Sequence, residues 1–383
     1  MNPMEQLRKA RPAHLDTPVD ESTRAGELNY AMAQFRQAKP ARARKIAKPV
    51  WGLGLAGVAA ATAVAVGVTA TGGTTSAPSA PAVAQGGTQG GTQSPAVKLS
   101  AKQVLLVAAE SSLKAKAGTG AYWHIESTGG NATTVGTKVQ YMVNSLGKSE
   151  TWIARSPKVD SWWVSQNLGT KAAPGSEAAW KQDGSPTKWT VKMPKNGGTA
   201  KLLIDAKGGK PFGNPINVGD KVADLAGKNV SFAELQKLPT TAAALKARLL
   251  KGYTGNSTEA DVPQEKDAWL FQVTAGVLSD MPVKPAVRAA AYEVLAGLDD
   301  VRSLGEVTDA LGRKGQGIGR AESWPNGQYE RQLIIDPQTG LLLTDQIVAV
   351  KSGGQWAGAK PGTVVNYNAI TKAEWTDEKP VKP

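Results

Sequence analysis

The hydrophobic pattern divides the chain at one uncharged apolar run, residues 50–70, which contains no proline. Its length fits the roughly 20 residues that a helix needs to cross a bilayer. Several Lys and Arg residues stand just before the run, between Arg36 and Lys48, whereas the next charge after it is Lys98. This asymmetry predicts a single-pass protein of the cell membrane, with its N-terminus in the cytoplasm and its C-terminus outside.

A cleaved signal peptide is the alternative interpretation of this run. Val68-Thr69-Ala70 and Ala82-Val83-Ala84 both resemble small-residue cleavage sites. However, 49 residues precede the run, far more than a signal peptide usually has, so an uncleaved anchor in membrane lipid is favoured. Gly57, Ala61 and Ala65 form a small-xxx-small stripe on this helix, which would allow a homodimer through the span.

The tail before the span, residues 1–48, is basic, with ten Lys or Arg against five Asp or Glu. A helix is predicted over residues 20–38, where Leu28, Ala31, Met32 and Phe35 recur at helical spacing. Such a stripe could dock into a cytoplasmic regulator or lie on the membrane surface. A frayed tail without a partner is equally compatible, because short isolated helices are marginal in water.

Residues 71–97 consist almost wholly of Gly, Thr, Ser, Ala, Pro and Gln, and Gly86-Gly87-Thr88-Gln89 is repeated directly afterwards. Nothing in this composition can bury apolar surface, so a disordered linker is predicted. Residues 98–383 follow as the extracytoplasmic domain. This division gives four segments: tail, span, linker and outer domain.

Within the outer domain, Ser100 and Gln103 form a capping-box pattern that predicts a helix. Extended runs follow at residues 121–127, 138–144, 150–155 and 159–165, separated by turns such as Leu146-Gly147 and Ser156-Pro157. Adjacent short strands with tight turns predict an antiparallel meander. Residues 167–229 are rich in Gly, Pro, Lys and Asn, and are expected to form long loops with strand fragments at residues 188–193 and 201–204.

The rest of the outer domain contains stretches in which apolar residues recur at helical spacing and stretches with the alternation typical of strands. Helices are predicted at residues 231–237, 241–251, 264–279 and 285–296, and strands at residues 301–307, 317–321, 329–335 and 341–350. Asp336-Pro337-Gln338-Thr339-Gly340 predicts a hairpin turn, since proline presets its first torsion and glycine supplies a left-handed residue. Strands, then helices, then strands indicate an α+β fold with an antiparallel sheet and packed helices.

The composition of the chain excludes several kinds of chemical site and bears on its binding partners. The chain has 383 residues, a net charge of +13 and no cysteine. This excludes disulfides, thiolate metal sites and a cysteine nucleophile. A basic surface outside the membrane favours anionic wall polymers or lipid headgroups over nucleic acid, although solubility alone explains it as well.

Catalytic motifs are missing from the sequence. His14 and His124 are its only histidines, and they fall on opposite sides of the span, so no histidine pair can hold a metal. Two S-x-x-K matches, starting at Ser111 and Ser145, lack the companion motifs of the serine-acylating class. The sequence therefore predicts a protein that is not an enzyme, with no catalytic residue, cofactor or metal site.

Tryptophan is over-used, with eleven Trp against four Phe. Trp123, Trp152, Trp162 and Trp163 are candidate ligand-binding residues, because a row of indoles can stack on sugars or lipid. An ordinary aromatic sheet core is the competing explanation. Trp162 and Trp163 are adjacent, so in a strand they should point to opposite faces, with at least one of them buried.

Several strings resemble one uncharacterised family of actinobacterial single-pass membrane proteins, often encoded beside extracytoplasmic-function sigma factors. They are residues 4–8 (MEQLR), 11–12 (RP), 122–123 (YW), 268–271 (AWLF), 281–292 (MPVKPAVRAAAY), 295–298 (LAGL), 307–313 (VTDALGR) and 333–340 (LIIDPQTG). The resemblance covers the tail, the span and the outer domain except residues 167–229. The family usually has Pro-Gly where this chain has Asp299-Asp300, and it has no established catalytic residues to carry over.

The resemblance implies a non-enzymatic envelope protein whose outer domain binds a ligand or partner and whose tail touches a cytoplasmic regulator such as a sigma factor. The alternative is a carrier of an apolar ligand or a wall glycan, which would need a deep tryptophan-lined cavity under the helices. The final hairpin also resembles the half-barrel sheets of periplasmic lipoprotein carriers, a likeness at the level of fold. A wall hydrolase would need convergent carboxylates, which the spacing does not indicate.

Overall fold

The computed structural model describes residues 99–380, apart from residues 137, 196–197, 217, 259–261 and 325. The predicted tail, span and linker therefore lie outside the described residues, as do the helix at residues 20–38 and the small-residue stripe. Among the described residues, no helix has both the length and the apolar character needed to cross a membrane.

The described part of the chain contains helices of very different length. They are α1 (Ala101–Lys114), α2 (Glu177–Gln182), α3 (Phe232–Gln236), α4 (Ala242–Leu250), α5 (Lys266–Ser279) and α6 (Pro285–Ala296). The capping box of α1 forms as predicted, since Ser100 Oγ accepts from the backbone N–H of Gln103 and the Gln103 side chain accepts from the Ser100 N–H. α6 begins with Pro285 at its first turn, where the missing N–H costs nothing.

The strands are β1 (Tyr122–Val135), β2 (Tyr141–Ala154), β3 (Ser161–Ala172), β4 (Lys188–Lys195), β5 (Gly198–Asp205), β6 (Phe212–Ile216), β7 (Lys221–Leu225), β8 (Lys228–Ser231), β9 (Val301–Thr308), β10 (Lys314–Trp324), β11 (Gly327–Asp336), β12 (Leu341–Lys351) and β13 (Val364–Thr376). Nine of them form one open antiparallel sheet in the order β6-β3-β2-β1-β13-β12-β11-β10-β9. β4–β5 and β7–β8 are separate hairpins. The predicted α+β class is confirmed, and so is the β1–β3 meander.

The helices cover one face of this sheet, which we call the helix-facing side. Leu105 of α1, Trp269 of α5 and Tyr292 of α6 are almost fully buried there and pack against sheet residues that include Ile318 and Leu333. Because side chains alternate along a strand, the residues between them point to the opposite face, which we call the outer face. The sheet therefore presents two chemically different surfaces.

The predicted turn at residues 336–340 joins β11 to β12 and docks onto α1. Asp336 accepts hydrogen bonds from the Gln338 N–H and the Thr339 hydroxyl, and Gly340 adopts a φ of +67°. Tyr292 and Ser112 donate to the Gly340 carbonyl at 3.0 and 3.3 Å. A turn encoded by its own residues thus also anchors two helices.

Two predictions for the outer domain are wrong in whole or in part, and one central strand was not predicted. Gly147 lies inside the long strand β2, opposite Gly129 of β1, so Leu146-Gly147 is a register shift against β3 rather than a turn. In residues 167–229 the strand fragments predicted at 188–193 and 201–204 are confirmed as parts of β4 and β5. The expected long loops, however, also contain β6, β7 and the start of β8, because cross-strand pairing overrides their glycine and proline content. β13 was not predicted, although it bridges β1 and β12 at the centre of the sheet.

Candidate functional site

Trp123 belongs to the core on the helix-facing side. It is 5% exposed, and its indole Nε1 donates to the backbone carbonyl of Asp280 at 2.9 Å. The Trp375 ring packs edge-on against it, with ring centroids 5.6 Å apart. With its polar atom satisfied and its ring covered, Trp123 holds the sheet to the end of α5 and offers no surface to a ligand.

Trp152 and Trp162 lie together on the outer face. They are directly opposed across β2 and β3 and pack with Tyr122 and Val164. Trp152 is buried, whereas Trp162 is half-buried. The structure thus brings two of the four candidate tryptophans into one aromatic patch.

Trp163 points to the other face, as the alternation predicts. Its ring meets Phe212 edge-on at 5.3 Å, and its Nε1 donates to Ser149 Oγ at 3.3 Å. The prediction that either Trp162 or Trp163 is buried is wrong, since both are half-buried. The reason is their place in β3, beyond which only the short edge strand β6 covers the sheet.

Next to this patch, strand register brings together a set of ionisable side chains, which we call the outer-face cluster: His124, Glu126, Lys148 and Glu150. His124 is paired with Trp152 and Glu126 with Glu150, while Lys148 lies opposite Thr128 one pair further along. Because each position is two residues from the next, their side chains share the outer face. The side chains of β1 and β2 thus meet in a ladder that starts at the tryptophan and ends at the lysine.

His124 is the most buried member, with 5% of its side chain exposed. Its ring stacks on Trp152 with centroids 4.1 Å apart and planes inclined by 12°. Its Nε2 lies 3.6 Å from Glu150 Oε2, which is too long for a hydrogen bond, and neither ring nitrogen has a hydrogen-bond partner. A buried imidazole without partners is unusual, because such polar groups are normally satisfied.

The two carboxylates of the outer-face cluster share one ammonium group. Lys148 Nζ lies 2.8 Å from Glu150 Oε1 and 3.3 Å from Glu126 Oε1. The Thr371 hydroxyl also donates to Glu126 Oε1, at 3.0 Å. Burial opposes the charge of Lys148, but its hydrogen bonds and ion pairs with the two glutamates outweigh burial and raise its pKa.

Burial sets the protonation state of the imidazole. It lowers the pKa of His124 below its ordinary value, and the nearby charge of Lys372 lowers it further, against the attraction of Glu150 and Glu126. His124 is therefore neutral at neutral pH and carries a lone pair on one ring nitrogen. The outer-face cluster accordingly offers one nitrogen and several carboxylate oxygens as ligand atoms within 4.8 Å of one another.

A second feature, which we call the Tyr122 groove, is an open surface pocket of about 550 Å³ at the end of β1 and β2. Its lining residues are Ala121, Tyr122, Arg155, Ser156, Val159, Asp377 and Lys379. The Arg155 guanidinium lies 4.3 Å from the centre of the Trp375 ring and 5.5 Å from that of Phe232. Stacking on two rings holds this exposed cation in place.

Buried charges also occur on the helix-facing side, where they serve packing. Arg331 of β11 and Asp345 of β12 lie diagonally across this strand pair and form a bidentate ion pair, with both side chains 7% exposed. Glu322 accepts from Trp324 Nε1 at 2.8 Å, and burial raises its pKa despite the nearby charge of Arg331. Arg331, Asp345 and Glu322 are all buried within the fold.

Sequence reasoning missed the outer-face cluster because it searched for a pair of histidines. The available signal was the alternation His124, Glu126 in one strand and Lys148, Glu150, Trp152 in the next, which becomes a cluster only if the strands pair in this register. The chain matches no protein-family model, and a search of curated proteins finds no significant match. The function must therefore be inferred from the geometry and sequence of this chain.

Proposed function

We propose that this chain is a non-enzymatic, membrane-anchored envelope protein whose extracytoplasmic domain binds an anionic envelope polymer in the Tyr122 groove. A single transmembrane helix at residues 50–70 would hold the domain near the membrane, and the open sheet with its packed helices would have the half-barrel form of lipoprotein carriers. The observation that supports this function most is Arg155, an exposed guanidinium fixed over two aromatic rings at the edge of a groove.

The lining of the Tyr122 groove suits a polymer with both anionic and apolar parts. Arg155 and Lys379 supply two cations, while the one lining carboxylate, Asp377, accepts a hydrogen bond from the Ala121 N–H at 2.8 Å. Tyr122 and Val159 add apolar surface between these charges. A guanidinium that is already held in place loses little entropy when it binds phosphate or carboxylate groups, because its planar donors are preorganised.

The alternative, a carrier of apolar ligand or wall glycan, requires a tryptophan-lined cavity under the helices. In the described residues, the helix-facing side is filled instead by buried side chains such as Leu105, Trp269 and Tyr292. Trp123, a candidate for lining such a cavity, has its ring covered and its Nε1 hydrogen-bonded. The packing therefore favours recognition at the surface over transport inside the fold.

The signalling half of the proposal concerns the tail, for which the support is the sequence alone. The stripe Leu28, Ala31, Met32 and Phe35 could bind a cytoplasmic regulator such as a sigma factor. Deleting residues 1–35 keeps the basic residues next to the span and so preserves topology. Transcription of genes under the associated sigma factor should then change, and an unchanged transcript profile would contradict a signalling tail.

Polymer binding is tested by co-sedimentation of the full-length chain with purified cell walls, before and after acid extraction of their anionic polymers. We expect binding to untreated walls, and a roughly tenfold weaker affinity for Arg155→Gln, because a charge-assisted contact is worth about 1.5 kcal/mol or more. Lys158→Gln removes the same charge from an exposed position in the same turn that does not line the groove. It is the matched control and should bind like the wild type.

Two outcomes would contradict polymer binding. Equal losses in Arg155→Gln and Lys158→Gln would mean that only net charge matters. Equal binding to extracted and untreated walls would exclude the anionic polymer as ligand. Vesicles with and without anionic lipid complete the comparison, because preferential binding to anionic vesicles would transfer the role to lipid headgroups.

A further inference from the structure

The outer-face cluster contains a group that the fold leaves unsatisfied. Both ring nitrogens of His124 are buried and lack hydrogen-bond partners, although buried polar groups are normally hydrogen-bonded. The ring is not free to turn toward solvent, since it is stacked flat on Trp152. It is held with Nε2 toward Glu150, the side chain on which Lys148 also converges.

We propose that His124, Glu126 and Glu150 form a binding site for a divalent transition-metal ion of the zinc type. Imidazole nitrogen and carboxylate oxygen are both common ligands of Zn²⁺, and three protein ligands with a water in the fourth position are a known arrangement. The site is separate from the Tyr122 groove, because the two share no residue. The inference therefore stands whether or not the groove binds a polymer.

The distances suit a small ion. Two ligand atoms that each lie about 2.1 Å from a tetrahedral metal are separated by roughly 3.4 Å. His124 Nε2 and Glu150 Oε2 are 3.6 Å apart, and the ligand atoms of all three residues lie within 4.8 Å of one another. Glu126 and Glu150 are half-buried, so rotation about their side-chain bonds can bring the remaining oxygen into range.

Lys148 occupies the place of the cation in this structure. Its ammonium bridges the carboxylates of Glu126 and Glu150, yet 34% of its side chain is exposed. The long side chain can therefore swing into solvent when a divalent ion takes over both carboxylates. Lys148 is then a competitor built into the site, and its removal should strengthen metal binding.

The strand pair and the neighbouring side chains hold the proposed metal ligands in place, which favours a preformed site. β1 and β2 are paired over their whole length, and the stack on Trp152 sets the plane of the imidazole. The Thr371 hydroxyl donates to Glu126 Oε1 and orients that carboxylate, as outer groups commonly do around metal ligands. The ligands thus come from the most regular part of the sheet.

The test is a titration of Zn²⁺ into the full-length chain, purified without a polyhistidine tag in mild detergent and freed of metal with a chelator. Calorimetry should show saturable binding of one ion per chain. His124→Phe retains a ring for stacking but has no ligand nitrogen, and it should weaken binding at least tenfold. Glu150→Gln, which retains the shape of the side chain, should do the same.

Lys148→Met supplies the decisive comparison. It removes the competing ammonium while keeping an apolar side chain of similar length. We expect about tenfold tighter Zn²⁺ binding, since a like charge about 4 Å away opposes binding of the ion even in water. Lys314→Met is the matched control, because it removes a lysine from a distant ion pair with Glu306. Its affinity for Zn²⁺ should equal that of the wild type.

The proposal is overturned if neither the wild type nor Lys148→Met binds Zn²⁺ saturably. It is also overturned if a folded His124→Phe binds as tightly as the wild type, which would place the ion elsewhere, for example at His14. If Lys148→Met and Lys314→Met strengthen Zn²⁺ binding equally, the effect comes from the net charge of the protein and not from this site. If His124→Phe fails to fold, Glu150→Gln decides in its place.

Discussion

His124 stacks on Trp152 in a nearly parallel arrangement, with ring centroids 4.1 Å apart and an interplanar angle of 12°. The contact joins the aromatic patch to the outer-face cluster. Trp152 belongs to the aromatic patch with Tyr122, a residue of the groove, whereas His124 belongs to the outer-face cluster. The same pair of rings therefore shapes both surfaces, and substitutions in it test whether the imidazole is there for stability.

His124→Phe should raise the free energy of unfolding by about 1 kcal/mol in the presence of a chelator, because the phenyl ring keeps the stack and leaves no buried nitrogen unsatisfied. The measurement is urea unfolding followed by tryptophan fluorescence. Trp152→Ala serves as the contrast and should lower the free energy by roughly 3 kcal/mol through loss of a large buried side chain. Destabilisation by His124→Phe comparable to that of Trp152→Ala would show that the imidazole is needed for folding.

Asp345→Asn should lower the free energy of unfolding by about 3–5 kcal/mol, because it leaves the buried guanidinium of Arg331 without its counter-charge. The double variant Arg331→Met/Asp345→Leu should recover most of this loss, since neither member of the pair is then left as an uncompensated charge. Thermal and urea unfolding of the three proteins provide the measurement. Lys314→Met, at an exposed ion pair, should change stability by less than about 1 kcal/mol. A double variant as unstable as Asp345→Asn would disprove this account.

Glu322→Gln should become more stable relative to the wild type as pH rises. Burial raises the pKa of Glu322 above its ordinary value of 4.5, so the folded protein holds this proton more tightly than the unfolded chain does. The wild type therefore loses stability as pH rises from the ordinary pKa through the raised one, whereas glutamine cannot ionise. Unfolding curves from pH 4.5 to 8 measure the difference. A gap that stays constant across this pH range would contradict it.

Gly340→Ala should destabilise the protein by at least about 3 kcal/mol, because a left-handed torsion and a steric clash add up. Its φ of +67° is left-handed, and an added Cβ would lie 2.5 Å from both the Ala108 carbonyl oxygen and Ser112 Oγ of α1. Gly362→Ala is the matched control, with a φ of +86° but open space around the new atom. It should cost only the conformational penalty of about 1–2 kcal/mol. Similar melting temperatures for the two variants would mean that the turn does not depend on its close contact with α1.

Local chemistry predicted the elements whose torsions are set by neighbouring residues. The capping box at Ser100, Pro285 at the start of α6 and the turn from Asp336 to Gly340 each act over a few residues, and each is confirmed. Asp300, in the loop between α6 and β9, adopts a left-handed φ of +62° without being a glycine. The antiparallel meander follows from the same short-range signals.

Longer-range features could not be predicted in this way. β13 lies between β1 and β12 only because the chain returns to the centre of the sheet after β12. Gly147 resembles a turn residue, but pairing with Gly129 keeps it inside a strand. In both cases strand partners distant in sequence supply the hydrogen bonds, so the local sequence pattern could not predict the pairing.

The sequence by itself determined the alternation that separates Trp162 from Trp163 and the residue types available for chemistry: two histidines, no cysteine and many tryptophans. Only the tertiary structure decided that His124 meets Glu150 and Lys148, that Trp123 is buried under α5, and that Arg155 lies over Trp375. The physical reason is the register of the sheet, which decides which residues of neighbouring strands lie side by side. A shift of one residue between β1 and β2 would send each of these side chains to the other face, and that register is set by contacts along the whole sheet.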